Sequence, residues 1–218
     1  YDVDLKWDVN PTPTERISLT AWYELMRGPN SRIEVASAGG YLSYENIADK
    51  ATVAGVEVEV RKNLFVRPLS SAANGMNKLS FGLNGSYIYT NAKMPLATVT
   101  TGSQLEGAAP WIANFDLSPN FTKGNHSFIN TLVLNYVSDK IYTIGTQGYQ
   151  DIMEQGMMTL DFVSQAKLNK YVSLTLKARN LLNPSYKLSR KANESGEKVV
   201  LSDYKKGINI SLGVSCTF

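Results

Sequence analysis

One pattern constrains this chain more than any other: apolar and polar residues alternate, one by one, in run after run. Val3, Leu5, Trp7 and Val9 alternate with Asp2, Asp4, Lys6 and Asp8. Ile17, Leu19, Ala21, Tyr23 and Leu25 make a second series. Val56, Val58 and Val60 make a third, set against Glu57, Glu59 and Arg61, and a fourth runs from Leu79 to Tyr89. Further series occupy Trp111–Phe121, Phe128–Tyr136, Leu160–Leu168, Leu174–Ala178 and Ile208–Phe218. A period of two is the period of a β-strand. No stretch carries a period of 3.6, so the chain reads as nine antiparallel strands with almost no helix.

The runs are long. Soluble strands average about 5–6 residues, whereas several of these reach roughly 10–14, enough to cross a bilayer at a slant. The longest unbroken apolar stretch, around Ala108–Ala113, is far short of the roughly 20 residues a membrane helix needs. Alternation also explains why the mean hydropathy is only -0.19: every second residue is polar. Aromatics gather toward strand ends (Trp7, Trp22, Tyr23, Tyr87, Tyr89, Trp111, Phe121, Phe128, Tyr136 and Phe218), where interfacial girdles of transmembrane barrels place them. The charged residues of the opposite face suit a wet lumen better than a dry core. A soluble β-sandwich with a polar outer face is the plain alternative.

Connections alternate in length. Asn10–Thr14, Thr122–Ser127 and Asn169–Tyr171 read as short turns, and Val66–Asn77 as intermediate. Arg27–Lys50, Asn91–Pro110, Ser138–Gly156 and Asn183–Lys206 are long, and Tyr186–Ser189 and Lys198–Asp203 could add a hairpin inside the last. Short turns at one end and long loops at the other are the habit of bacterial outer-membrane barrels. Counted back from the last strand, the first strand starts at the long-loop end. Nine strands starting there imply further strands before Tyr1.

Other classes fit poorly. A net charge of +3, with scattered basic residues, lacks the footprint of a nucleic-acid binder. Cys216 has no partner for a disulfide, and on the last strand it reads as a small lipid-facing residue. His126, the only histidine, sits in a predicted turn, and no second His or Cys completes a metal site or a catalytic triad. Asp151 and Glu154 read as solvated loop carboxylates. The chain reads as no enzyme, with no cofactor.

Four stretches resemble the C-terminal barrel region of TonB-dependent outer-membrane receptors, especially of the Bacteroidetes type. They are Asn46–Leu64 (NIADKATVAGVEVEVRKNL), Leu105–Phe115 (LEGAAPWIANF), Lys177–Tyr186 (KARNLLNPSY) and Tyr204–Phe218 (YKKGINISLGVSCTF). Lys206 and Ile208 depart from the terminal pattern, in which Arg commonly follows Gly. The resemblance runs across the whole chain in the family's order. It implies that residues 1–218 are the last nine or ten strands of a 22-stranded transmembrane barrel, all-β and antiparallel, with the N-terminal plug domain and first strands absent.

The resemblance also implies active, TonB-driven uptake of a metal chelate, vitamin, glycan or peptide across the bacterial outer membrane. The partners it brings are outer-membrane lipid, the chain's own plug, the TonB complex, the barrel assembly machinery and a surface lipoprotein in some members. Phe218 resembles the terminal aromatic read by that machinery. Glu57, Glu59, Arg61, Lys177 and Arg179 are the candidates for lining the lumen or touching the plug; the bland reading is a generic solvated face. Tyr142, Gln147 and Tyr149 are the candidates for touching substrate from an extracellular loop; the bland reading is an ordinary surface loop. A smaller self-contained barrel, acting as passive porin or adhesin, is the alternative function, and a soluble β-sandwich binding module a further one.

Overall fold

The computed structural model describes residues 1–35, 39–69, 75–92, 103–146, 148–192 and 196–217. Among these, no helix occurs and strands dominate. In chain order they are β1 (Asp2–Thr12), β2 (Glu15–Arg27), β3 (Asn30–Glu34), β4 (Leu42–Asn46), β5 (Lys50–Pro68), β6 (Gly75–Ala92), β7 (Trp111–Lys123) and β8 (His126–Val137). There follow β9 (Lys140–Thr143), β10 (Ile152–Glu154), β11 (Met157–Lys167), β12 (Val172–Arg179), β13 (Ser185–Lys191), β14 (Lys198–Lys205) and β15 (Asn209–Cys216).

The nine alternating runs form one antiparallel sheet in the order β1-β2-β5-β6-β7-β8-β11-β12-β15. Neighbours in space are neighbours among the nine runs in sequence, the meander that short turns enforce. β1 and β15 are its edges and do not pair with each other, so the sheet is open. The remaining strands lie in the long connections. β13 and β14 form the hairpin anticipated there and join β10 and β9 in a four-stranded sheet, while β3 and β4 make a separate hairpin. A parallel bridge between Ile33 and Ile144 ties that hairpin to the loop after β9.

The short-turn end is tighter than the sequence suggests. Only Pro13 and Thr14 separate β1 from β2, because a register shift between Val9 and Thr12 absorbs Pro11, which has no N–H to give the ladder. β5 and β6 likewise run on to Pro68 and back from Gly75, shortening the Val66–Asn77 connection. Lys123 pairs with His126 around a two-residue turn in which Gly124 has φ 59°, the left-handed conformation that favours glycine. At the β11–β12 turn the Asn169 carboxamide oxygen accepts from the backbone N–H of Tyr171 (2.8 Å) and Val172 (2.9 Å).

Register sorts the two faces. Ile17 lies opposite Val9 and Val60, Val60 opposite Leu83, Leu83 opposite Phe115, Phe115 opposite Leu134 and Leu134 opposite Leu160. One residue along, Ser18 lies opposite Asp8 and Glu59, and the row continues through Asn84, Asn114, Asn135 and Thr159. Burial is the reverse of a water-soluble sheet: Ser18 is 3% exposed, whereas Leu19 is 46% and Leu212 70%. Among the described residues no second sheet covers the apolar face, so the sandwich reading falls. A continuous apolar surface of this size is not stable in water; lipid is the medium that leaves it uncovered.

Aromatics bound that surface. Tyr87 and Trp111 pair near the long-connection end (ring centroids 4.6 Å), with Phe121 and Phe128 at the other (6.4 Å). Trp111 and Phe121 are ten positions apart on β7. At about 3.4 Å per residue and a tilt of about 40°, that spans about 26 Å, close to the roughly 25 Å apolar band of such barrels. Trp22 does not belong to this girdle. It registers with Asp4 and Gly55, on the polar face. Its ring occupies the space over Gly55, where a Cβ would lie 2.2 Å from Cζ2. Alternation assigns a tryptophan to a strand end but not to a face when both its neighbours, Ala21 and Tyr23, are apolar.

Among the described residues the clusters of buried apolar side chains lie at the long-connection end. Ile33, Ile47, Ile141 and Ile144 pack with Met153, and Ala48, Ala51, Ala92 and Leu105 make a second cluster.

Candidate functional site

The polar face carries its charges in a chain. Lys6 Nζ lies 3.7 Å from Asp8, and Asp8 accepts from Arg16 Nη2 at 2.9 Å. Arg16 Nε is 3.7 Å from Glu59, Glu59 is 3.8 Å from Arg61, and Arg61 Nη2 is 3.8 Å from Asp116. The last step crosses a strand. Arg61 and Asp116 both register with Gly82 on β6, and a Cβ on Gly82 would stand 2.2 Å from Asp116 Oδ1. The missing side chain is what lets the guanidinium reach over. Each pair is open to solvent and weak on its own; sharing of partners spreads the ordering cost.

Amides continue the row. Glu57 accepts from Asn84 Nδ2 at 2.5 Å, and Asn84 Oδ1 accepts from Asn114 Nδ2 at 3.3 Å. Asn135 Nδ2 donates to Thr159 Oγ1 at 3.3 Å. Thus Glu57, Glu59 and Arg61 are brought together and engaged with their neighbours. Lys177 and Arg179 lie on the same face, opposite Ser211 and Asn209, but several strands away and outside this network.

At the long-connection end two arginines organise the loops. Arg32 sits 4.4 Å above the Tyr142 ring, donates from Nε to the Tyr44 hydroxyl (3.2 Å) and lies 3.9 Å from Glu106. The hydrogen bond to Tyr44 holds Arg32 above its ordinary pKa. Arg190 pairs through Nη2 with Glu34 and lies 5.3 Å from the Tyr149 ring, while its buried Nε has no hydrogen-bond partner. Neither arginine carries a sequence signal: each lies in a short loop strand with no extended alternation.

Beside Arg190 a cavity of about 390 Å³ is lined by Gln150, Asp151, Met153, Lys191 and Lys198 among others. Tyr142 and Tyr149, two of the loop candidates, are therefore partners of the loop arginines. Tyr149 remains 44% exposed, and Gln147 lies outside the described residues. Asp151 and Glu154 are not the solvated pair the sequence suggests. Asp151 is buried and accepts from the Gly145 N–H at 2.7 Å. Glu154 lies 3.2 Å from Lys140 and accepts from the Tyr186 hydroxyl at 3.2 Å. Burial, with Glu154 second, pushes Tyr186 up to about 12.

The KARNLLNPSY stretch has a structural explanation. Asn180 (φ 59°) and Asn183 (φ 44°) both adopt the left-handed conformation. Asn180 Nδ2 donates to the Gly207 carbonyl (2.7 Å), and Asn183 Oδ1 accepts from the Gly207 N–H (3.0 Å). The pair grips the chain just before β15. Next to it, Asp161, Arg179, Tyr186 and Lys206 line a cavity of about 370 Å³ at the mouth of the polar face.

The lone histidine, His126, which the sequence reads as a turn residue, opens β8 just after the turn and pairs with Lys123. Cys216 is exposed on the apolar face opposite Val172, and Phe218 lies outside the described residues. Among the described residues no group of His, Cys, Asp or Glu could hold a metal ion.

An apolar band outside and a charged, hydrogen-bonded face inside define the wall of a transmembrane β-barrel. A family model described as TonB dependent receptor-like, beta-barrel matches residues 1–181, and the chain belongs to that family. Members are, in general, outer-membrane transport proteins rather than enzymes, and the family implies a plug domain and an interaction with TonB. No curated protein and no solved structure matches the chain.

Proposed function

We propose that residues 1–218 form the C-terminal part of the wall, and the outer loops, of a transporter that takes up a nutrient across the bacterial outer membrane, powered by TonB. The observation that carries this is the inverted wall: hydrocarbon residues face out, and a charged face looks into a lumen. In this reading the short turns are periplasmic, the long connections are extracellular, and a plug domain encoded upstream fills the barrel. Glu57, Glu59, Arg61, Lys177 and Arg179 line that lumen. Tyr142, Gln147 and Tyr149 sit where an incoming metal chelate, vitamin, glycan or peptide first meets protein, with or without a surface lipoprotein. Phe218 serves the assembly machinery.

The test is uptake in the native host. Deleting the gene abolishes growth on one limiting nutrient, and deleting tonB or adding a protonophore does the same. Growth or uptake through the intact receptor that persists without TonB or proton-motive force favours a passive porin instead. A full-length gene lacking a plug ends the proposal.

A further inference from the structure

On the apolar face, the rows nearest the short turns of β5 to β8 break the run of hydrocarbon. Arg67 registers with Asn77, and Asn77 with Phe121, so Arg67 stands at the level of the Phe121–Phe128 ring pair. Lys123 registers with Gly75 and His126, one row further toward the turns. Asn130 interrupts the outward series between Phe128 and Leu132. A cavity of about 320 Å³ opens among these rows, lined by Phe65, Asn77, Pro119, Phe121 and Asn130, with Lys78 and Asn120 of the opposite row. The Oδ1 of Asn77 is buried and has no hydrogen-bond donor, a condition that calls for a partner from outside the chain.

The neighbouring chain holds no carboxylate to pair the two cations. Residues 60–90 and 117–138 contain no Asp or Glu. Among the described residues neither Arg67 nor Lys123 takes part in an ion pair. Glu15 on β2 accepts from the Asn63 N–H at 3.1 Å, four residues, or about 13 Å of strand, short of Arg67. The backbones of Arg67 and Lys123 are about 10 Å apart across two strand gaps and about 7 Å apart along the strands. Long cationic side chains reach that far along an apolar surface to place their heads at its edge, where basic clusters meet anionic lipid. We propose that Arg67 and Lys123, around the Asn77 cavity, bind the phosphate of an anionic phospholipid whose headgroup hydroxyl donates to Asn77 Oδ1. This rests on the reading that the wall lies in a bilayer with its short turns in the periplasm, which sets the patch in the inner leaflet of the outer membrane.

The test is native mass spectrometry of the full-length receptor, extracted in mild detergent and titrated with phosphatidylglycerol or with phosphatidylcholine of the same acyl chains. Phosphatidylglycerol is expected to stay bound where phosphatidylcholine is lost, and an excess of inorganic phosphate does not displace it. Arg67→Gln with Lys123→Gln weakens that binding by about five-fold for each cation removed. Asn77→Leu weakens phosphatidylglycerol but not phosphatidylmethanol, which carries the same charge without the hydroxyl. Lys205→Gln, at an exposed lysine of the loop sheet, changes neither. The mobility of unheated samples on a gel shows that each variant is folded. Equal retention of the two lipids, or full retention of phosphatidylglycerol by the folded double variant, overturns the lipid site while the transporter reading stands. Displacement by inorganic phosphate makes the ligand a soluble anion and overturns it too. A full-length receptor recovered from cells in soluble form without detergent sinks both.

Discussion

At the residue scale, two glycines in one strand should behave oppositely. Gly82 sits under the Arg61–Asp116 bridge, where a Cβ would meet Asp116 Oδ1 at 2.2 Å, whereas at Gly85 the nearest atom is 3.9 Å away. Gly82→Ala is expected to destabilise the folded receptor by about 1–3 kcal/mol, as overpacking does. Gly85→Ala should be close to neutral. Thermal melts of the detergent-folded protein separate them, and equal melting temperatures would refute the bridge-over-glycine argument. Tyr186 gives a pH prediction outside the membrane band. Its folded pKa is raised from 10.0 to about 12, so its contribution is complete below pH 10 and lost as pH climbs toward 12. Tyrosinate absorbance should show one late-titrating phenol that disappears in Tyr186→Phe, and the loop sheet should loosen in that alkaline window.

At the element scale, the Asn180–Asn183 grip on Gly207 makes the last strand depend on the end of β12. Asn180→Ala removes the bond to the Gly207 carbonyl and puts a Cβ residue with no local hydrogen bond at φ 59°. A cost of about 1–3 kcal/mol is expected. Limited proteolysis should cut first between β14 and β15. Cleavage unchanged from the wild type would show the grip to be dispensable.

The same elements mark what was legible in the sequence. Val56–Val60 and Leu79–Tyr89 announce their strands because one face must be apolar over a bilayer's width, and β13–β14 was visible in Tyr186–Ser189 and Lys198–Asp203. The hairpin β3–β4 and strands β9 and β10 span only three to five residues, too few to establish a period. Asp151 shows the other limit. Its burial depends on a Gly145 amide brought over it by the fold, and no property of a loop aspartate reveals such a contact. Arg32 and Arg190 leave no mark in the sequence because their carboxylate and ring partners are assembled from separate loops.

For the molecule as a whole, the face a residue occupies should decide the cost of charging it. Leu132 lies midway between Phe128 and Tyr136 on the apolar face, and Thr131, its neighbour, looks the other way toward Ser118. Leu132→Arg is expected to cost about 2–4 kcal/mol of folding into lipid vesicles, the penalty near a bilayer midplane. Thr131→Arg should cost much less, because its side chain points into the lumen. Equal losses would mean that the two faces are not lipid and lumen.

The ionic chain from Lys6 to Asp116 advances across the strands from β1 to β7, stepping along a strand only within β1 and β5. In a cylinder that is the hoop direction, the one in which a wall stretches when its contents are dragged through. Backbone ladders already resist that stretching between adjacent strands. The side-chain row adds a second tie on the inner surface and, at Gly82, spans two gaps at once. If the protein is pulled on from the periplasm while it works, this row acts as a girth strap: it lets the contents shift while the bore keeps its width.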